Sequence, residues 1–252
     1  MDPLQTPEGG PDPASVREAF KRRRGHWNDD WEAMLAYSPA YVAAYLEFSA
    51  YVADRGTLSP KFRELIYVAT NCTPTHMFEK GLRNHARQAL ALGATRDELM
   101  AVVATVSAMG FHSYVIAAGA VADCALERPD MPAVEAVRAD HAALFGDVDD
   151  AFDTGIGFDP AFHARWLDFA NAPLQGAPAV LTAKEAHLIS LSVHVQCTQL
   201  NATGARLHAR AALMHGATVD EVLDVARLVS SMGIHAMVFA LPVINELTGT
   251  SA

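Results

Sequence analysis

Cysteine is scarce in this 252-residue chain. Three occur, Cys72, Cys124 and Cys197, and no two form a CxxC. That excludes a disulfide framework and fits a reducing compartment. Positive charge is short as well: 19 Lys and Arg face 29 Asp and Glu, giving a formal net charge of −10. Such a chain lacks the general attraction to phosphate backbones and anionic lipid, so neither nucleic acid nor membrane is expected as a partner. The one basic cluster, Lys21-Arg22-Arg23-Arg24, is followed by Gly25, His26 and Trp27 rather than an apolar stretch, so it reads as a solvated helix face and not a targeting signal. Long apolar runs are missing too. The best, Met100 to Ala122, is interrupted by Thr105, Ser107, His112 and Ser113. These absences together point to the cytoplasm. Alternating Val/Ile/Thr runs are few, and there is no glycine-rich phosphate loop, no GxSxG and no HxxxH, so strands, a serine-hydrolase elbow and a metal site are not expected.

What remains is apolar and alanine-rich. Apolar residues make up 51% and charged ones 19%, the balance of a globular helical protein. Sliding the chain on itself by 123 residues aligns Lys61–His112 with Lys184–His235 without a gap, with 22 of 52 positions identical. The string "GLRNHARQALALGAT" from Gly81 returns as "GARLHARAALMHGAT" from Gly204. Upstream, "SPAYVAAYLEF" from Ser38 matches "DPAFHARWLDF" from Asp159, so the unit also includes a leading helix. Two copies of one supersecondary unit follow. Residues 1–13 read as a disordered tail, 14–126 as a first domain with an N-terminal helical arm, 127–157 as a linker with one helical piece, and 158–252 as a second domain.

Helix punctuation is explicit. Ser59-Pro60 and Thr182 fit N-caps, and Thr182/Glu185, Thr95/Glu98 and Thr218/Glu221 have capping-box spacing. Glu98 and Glu221 are thereby assigned to backbone N–H groups rather than to catalysis. Gly93 and Gly216 suit the left-handed position that closes a helix.

The candidate chemistry lies in inward histidines. Phe78, Leu82, His85, Ala89 and Leu92 trace one helical stripe, and Val102, Thr105, Met109, His112 and Ile116 another, which places His85 and His112 on inner faces. His208 and His235 repeat both positions. Gly81 and Gly204 sit one turn before His85 and His208, where a glycine costs about 1 kcal/mol against alanine and marks the close approach of a backbone or a ligand. Glu64 stands before an apolar stretch and its counterpart is His187. A carboxylate beside an imidazole in a dry pocket raises the imidazole pKa and orients the ring, which makes a general acid near neutral pH. The turn "NCTPTH" adds Cys72 and His76, whose counterparts are Val195 and Gln199; the second copy has His194 and Cys197 in that region. The copies differ here, as though one site was kept for chemistry and the other altered.

These residues resemble the carboxymuconolactone decarboxylase family, which shares its helical fold with the alkylhydroperoxidase D-like proteins. The likeness lies in "RELIYVATNC…H…NHARQALALGATRDEL" and "AHLISLSVHVQC…LHARAALMHGATVDEV". It implies an all-α fold of two tandem alkylhydroperoxidase D-like repeats, assembled as a homotrimer that is a pseudo-hexamer, or a higher oligomer. In the peroxidase branch a glutamate, a CxxC and a histidine act in relay. Glu64 and His85 match its ends, but Phe78 and Gly81 occupy the CxxC positions, and His187, Asn201, Gly204 and His208 occupy the set in the second copy. Without paired thiols the dithiol reaction cannot run. The decarboxylase branch needs no thiol and no cofactor. It implies a lyase acting on a small carboxylated lactone or ring-cleavage acid, with His85 as proton donor, Glu64 orienting it, and His76 or His112 binding the substrate carboxylate or carbonyl. Cys72, Phe78, Gly81, His194, His208 and His235 complete the expected substrate-binding set. An isomerase or hydratase-like proton shuttle, a non-catalytic helical binding or assembly protein, and a thiol peroxidase are the alternatives.

Overall fold

Four helices begin in the same way, with a side-chain acceptor followed at once by proline. They are α1 (Pro13–Arg24) after Asp12, α3 (Pro39–Arg55) after Ser38, α4 (Pro60–Asn71) after Ser59 and α10 (Pro160–Asn171) after Asp159. Proline has no N–H to leave orphaned at this position, and the cap oxygen takes a free N–H of the first turn. In the computed structural model, residues 10–124, 133–175 and 180–250 are described, and the regular secondary structure among them is entirely helical. The fold is thus all-α. Residues 1–9 of the expected tail lie outside the described residues.

The chain divides into two compact units. One contains α1, α2 (Asp29–Tyr37), α3 and α14 (His235–Thr248). Phe20, Met34, Val42 and Leu46 are wholly or almost wholly buried in its core with Leu241, and Trp31 lies 4.3 Å from Phe20. The basic cluster is only partly a solvated face. Lys21 and Arg22 are exposed, but Arg23 pairs with Glu47 and Asp54, and Arg24 donates to the Ser49 carbonyl, tying α1 to α3.

The other unit contains α4, α5 (Glu79–Ala91), α6 (Arg96–Ser107), α7 (His112–Cys124), α8 (Val134–Phe145), α9 (Asp150–Phe158), α10, α11 (Ala183–Val195), α12 (Ala202–Met214) and α13 (Val219–Ser230) up to Val229. The duplication is visible in space. The equivalent helices α4 and α11 pack on each other, and the turns that follow them meet where Thr75 Oγ1 lies 3.4 Å from Thr198 Oγ1, at matched positions. Both turns pass through a left-handed non-glycine residue, Met77 in one and Leu200 in the other. The capping boxes at Thr95/Glu98 and Thr182/Glu185 are formed, and Thr218 and Glu221 exchange the same two hydrogen bonds. Glu98 and Glu221 also bind Lys61 and Lys184, at 2.6 and 2.9 Å. Gly93 and Gly216 have φ of 87° and 88°, as a helix-closing glycine requires.

Two expectations are corrected. The stretch 127–157 is not simply a linker: beyond residues 125–132, which are not described, it forms α8 and α9. Phe145 and Phe152 enter the core, where Phe145 stacks on Trp166 of α10 and Trp166 stacks on Phe111 at 4.2 Å. The one helical piece expected there is α8, and what the proline, aspartate and glycine content hid is α9 and the core positions of Phe145 and Phe152. The second correction concerns the histidine stripes, because Leu92 and Ile116 are exposed. A 3-10 turn, Ala108–Phe111, separates α6 from α7, so the two helices do not share one stripe, and the buried face of α7 runs through His112, Val115 and Ala118, which leaves Ile116 outside. By length and composition alone, the helical stretches Arg96–Cys124 and Val219–Thr248 are long and apolar enough to cross a membrane.

Candidate functional site

In the first copy, α4 and α5 pack side by side and bring Glu64 to His85, with Nδ1 of the imidazole 2.7 Å from Oε2 of the carboxylate. Both side chains are largely shielded, at 10% and 14% exposure. Tyr67, one turn beyond Glu64, stacks on the imidazole with ring centres 4.4 Å apart, a partner the sequence reading missed. Held by a carboxylate at Nδ1 and an aromatic face, His85 keeps Nε2 as its second polar atom. His76 is half-buried with its ring 5.7 Å from Phe78, and burial pushes its pKa down. The Cys72 thiol donates to the Ala69 carbonyl, and burial pushes it up to about 11, so it is a thiol and not a nucleophilic thiolate near neutral pH. Cys124 and Cys197 are exposed and free.

The second copy has taken another course. With His187 where Glu64 stands in the first copy, the carboxylate–imidazole pair becomes an imidazole–imidazole pair, His187 Nδ1 to His208 Nδ1 at 3.2 Å. His194 stacks on His208, and His112 of the first copy packs against His194 with ring centres 4.2 Å apart. His112 therefore belongs to this cluster and not beside His85, which corrects its expected place. His215 stacks on His187 as a fifth ring. The five line a cavity of about 290 Å³ that also includes Phe145 and Trp166 of α8 and α10. A concavity of this size, in which apolar walls surround a cluster of imidazoles, has the character of a small-molecule site. Burial pushes His112 and His187 to about 4 and His194 to about 3, and His208 falls well below the ordinary value, with the neighbouring imidazoles adding to the effect. These rings are neutral near pH 7. His235, the counterpart of His112, is half-buried at the start of α14 in the other compact unit and is not among the cavity's lining residues.

The two helix-interior glycines admit a side chain rather than a backbone or ligand, which corrects the expected substrate role of Gly81. A Cβ there would collide with Asn71 Oδ1 and stand 2.6 Å from Phe78 Cδ1. At Gly204 it would lie 2.5–2.7 Å from three atoms of the His194 ring. Asn71 and His194 are matched positions, so one rule explains both glycines: each makes room for the last buried residues of the preceding helix. Gly204→Ala is expected to destabilise the protein. Alanine gains about 1 kcal/mol of helix propensity, but overpacking costs about 1–3 kcal/mol. His194 is 1% exposed, so its ring cannot retreat into solvent. Urea denaturation should show a net loss on the order of 1 kcal/mol, and a stabilised variant would show that the ring yields freely.

The sequence reading missed His187 and His215 as lining residues, and it missed the His141–His163 contact, Nδ1 to Nε2 at 3.0 Å, between α8 and α10. The i, i+4 spacing of His141 and Phe145 was the available signal, and it lies in the helical piece assigned to the linker.

The sequence model of the carboxymuconolactone decarboxylase family matches residues 39–123 and again 160–246, one match for each copy. Among solved structures, the chain is similar to a provisionally named gamma-carboxymuconolactone decarboxylase subunit from Burkholderia xenovorans LB400, at 26% identity and a TM-score of 0.86, covering 96% of this chain and 99% of that one. No curated protein matches.

Proposed function

Because the chain belongs to the carboxymuconolactone decarboxylase family, we propose that its first copy is the centre of a decarboxylase-like lyase acting on a small carboxylated lactone or ring-cleavage acid. The observation that carries this reading is the shielded Glu64–His85 hydrogen bond. The C–C bond to the carboxylate breaks, CO2 leaves, and the electron pair passes into a conjugated carbonyl as an enolate. His85 then delivers a proton from Nε2 to carbon, with Glu64 holding the ring through Nδ1 and offsetting the charge of its protonated form. Water restores the proton afterwards. Shielding from solvent favours loss of the charged carboxylate, and a positioned acid contributes about 10²–10⁴-fold.

The thiol alternative is the weaker one, since no CxxC exists and the Cys72 thiol is held protonated. A binding role for the second copy is favoured by its neutral imidazoles, which are poor proton donors near pH 7. We also propose a homo-oligomer in the cytoplasm with a small molecule as the ligand. Support for assembly comes from apolar side chains exposed at matched positions of α7 and α14: Ile116 with Phe239, and Val121 with Ile244.

The test is incubation of purified protein with a panel of carboxylated lactones and ring-cleavage acids, following ultraviolet absorbance and CO2. The expected result is CO2 release from at least one, above a heat-inactivated control. Turnover without CO2 would move the assignment to an isomerase or hydratase, and silence across the panel would count against the lyase.

A further inference from the structure

The second-copy cavity has a feature the lyase reading does not use. We propose that His112, His194 and His208 form a binding site for a divalent transition-metal ion of the zinc class, with a remaining coordination position that accepts a small carboxylate. One ring nitrogen from each lies within 4.8 Å of the other two, and all three side chains are buried. Zinc holds imidazole nitrogens at about 2.0–2.1 Å, which places tetrahedral ligands roughly 3.3–3.4 Å apart, so the rings need to close by up to about 1.5 Å. Side-chain rotation supplies a movement of that size.

The 3.2 Å contact between His208 Nδ1 and His187 Nδ1 needs one donor, and with Nδ1–H on His208 its Nε2 carries a lone pair for a metal. A metal-bound histidine that donates its other N–H to an outer partner is the usual supporting arrangement, so His187 is a positioning residue. His194 Nδ1 is buried and makes no hydrogen bond.

The donor set also defines the ion and its companion. Three imidazoles without an oxygen ligand suit zinc, cobalt or copper and do not suit magnesium or calcium. None of the described residues lining the cavity is acidic. A dication in this apolar surrounding therefore takes its balancing negative charge from a bound molecule, and a small carboxylate supplies it.

The proposal is independent of the lyase assignment, because its readout is metal and not CO2. Tag-free protein, stripped with chelator, is titrated with Co2+ and followed by visible absorption and by metal content after desalting. One equivalent of bound Co2+ with the absorption of a low-coordinate nitrogen site is expected, displaced by Zn2+ and altered by added acetate. His208→Ala and His112→Ala should weaken binding by at least about 100-fold, and His187→Phe by about 10–100-fold. His194→Asn guards against misfolding, since Asn71 occupies the matched position beside Gly81, and it should also lose the signal while keeping its helical circular dichroism. His26→Ala, in the other unit, should bind as the parent does. No Co2+ uptake by the folded parent, or uptake unchanged in the three ligand variants, would overturn the proposal.

Discussion

Acidification from pH 6.5 to about 4 strongly destabilises the metal-free protein, and the His141–His163 pair accounts for a large share of the loss. Both rings are fully buried, and each has its second nitrogen, Nε2 of His141 and Nδ1 of His163, without a hydrogen bond. Burial pushes them down to about 3 and about 4, with mutual repulsion of the charged forms adding to the shift at His141. Their unfolded value is near 6.5. Above that pH neither state is protonated, and the full stability is present. Between 6.5 and about 4 the unfolded chain binds protons that the folded one refuses, so stability falls as pH falls. Each ring removes about 1.4 kcal/mol per pH unit across this window. Together the loss is on the order of 7 kcal/mol, against a typical 5–15 kcal/mol for a domain. The four pocket imidazoles, His112, His187, His194 and His208, act in the same direction. Urea denaturation at pH 7 and pH 5 measures the effect, and a His141→Leu/His163→Leu variant should show a clearly shallower dependence. Replacing both partners by apolar groups removes the titration and leaves no widowed donor. An unchanged slope in that variant would place the acid sensitivity elsewhere.

Local chemistry was the readable part of the fold. The caps at Ser59, Thr95 and Thr182, the closing glycines Gly93 and Gly216, and the duplication itself depend on residues near one another in sequence or on direct comparison of the copies. Glu64 and His85 were readable as a pair for a related reason: both fall on inner faces of consecutive helices joined by a short turn. The close approach at Gly81 and Gly204 was readable, but not its cause, because a missing Cβ does not say what fills the space. Packing over long range was not readable. His112 belongs by sequence to the first copy, yet its ring meets His194 and His208, 82 and 96 positions later. A motif search for tight ligand spacing cannot find three imidazoles carried by α7, α11 and α12. In the stretch 127–157 one helical piece was readable and corresponds to α8, whereas α9 and the entry of Phe145 and Phe152 into the core were hidden by the turn-forming residues.

Glu64→Gln tests the division of labour between the copies. The amide keeps the size and one acceptor of the carboxylate and removes its charge, so the fold and the contact to His85 persist while the support for a protonated ring is lost. Because that support is needed in the transition state more than in the bound substrate, the loss belongs in kcat rather than KM. A His85→Gln variant removes the proton donor itself and should fall at least as far. The direct measurement is CO2 release under single-turnover and steady-state conditions, parent against Glu64→Gln, on whichever carboxylated lactone or ring-cleavage acid is turned over. The account predicts a kcat lowered by about 10²–10⁴-fold with KM changed only a few-fold. A Glu64→Gln enzyme that is equally folded and retains kcat within a few-fold of the parent would contradict it.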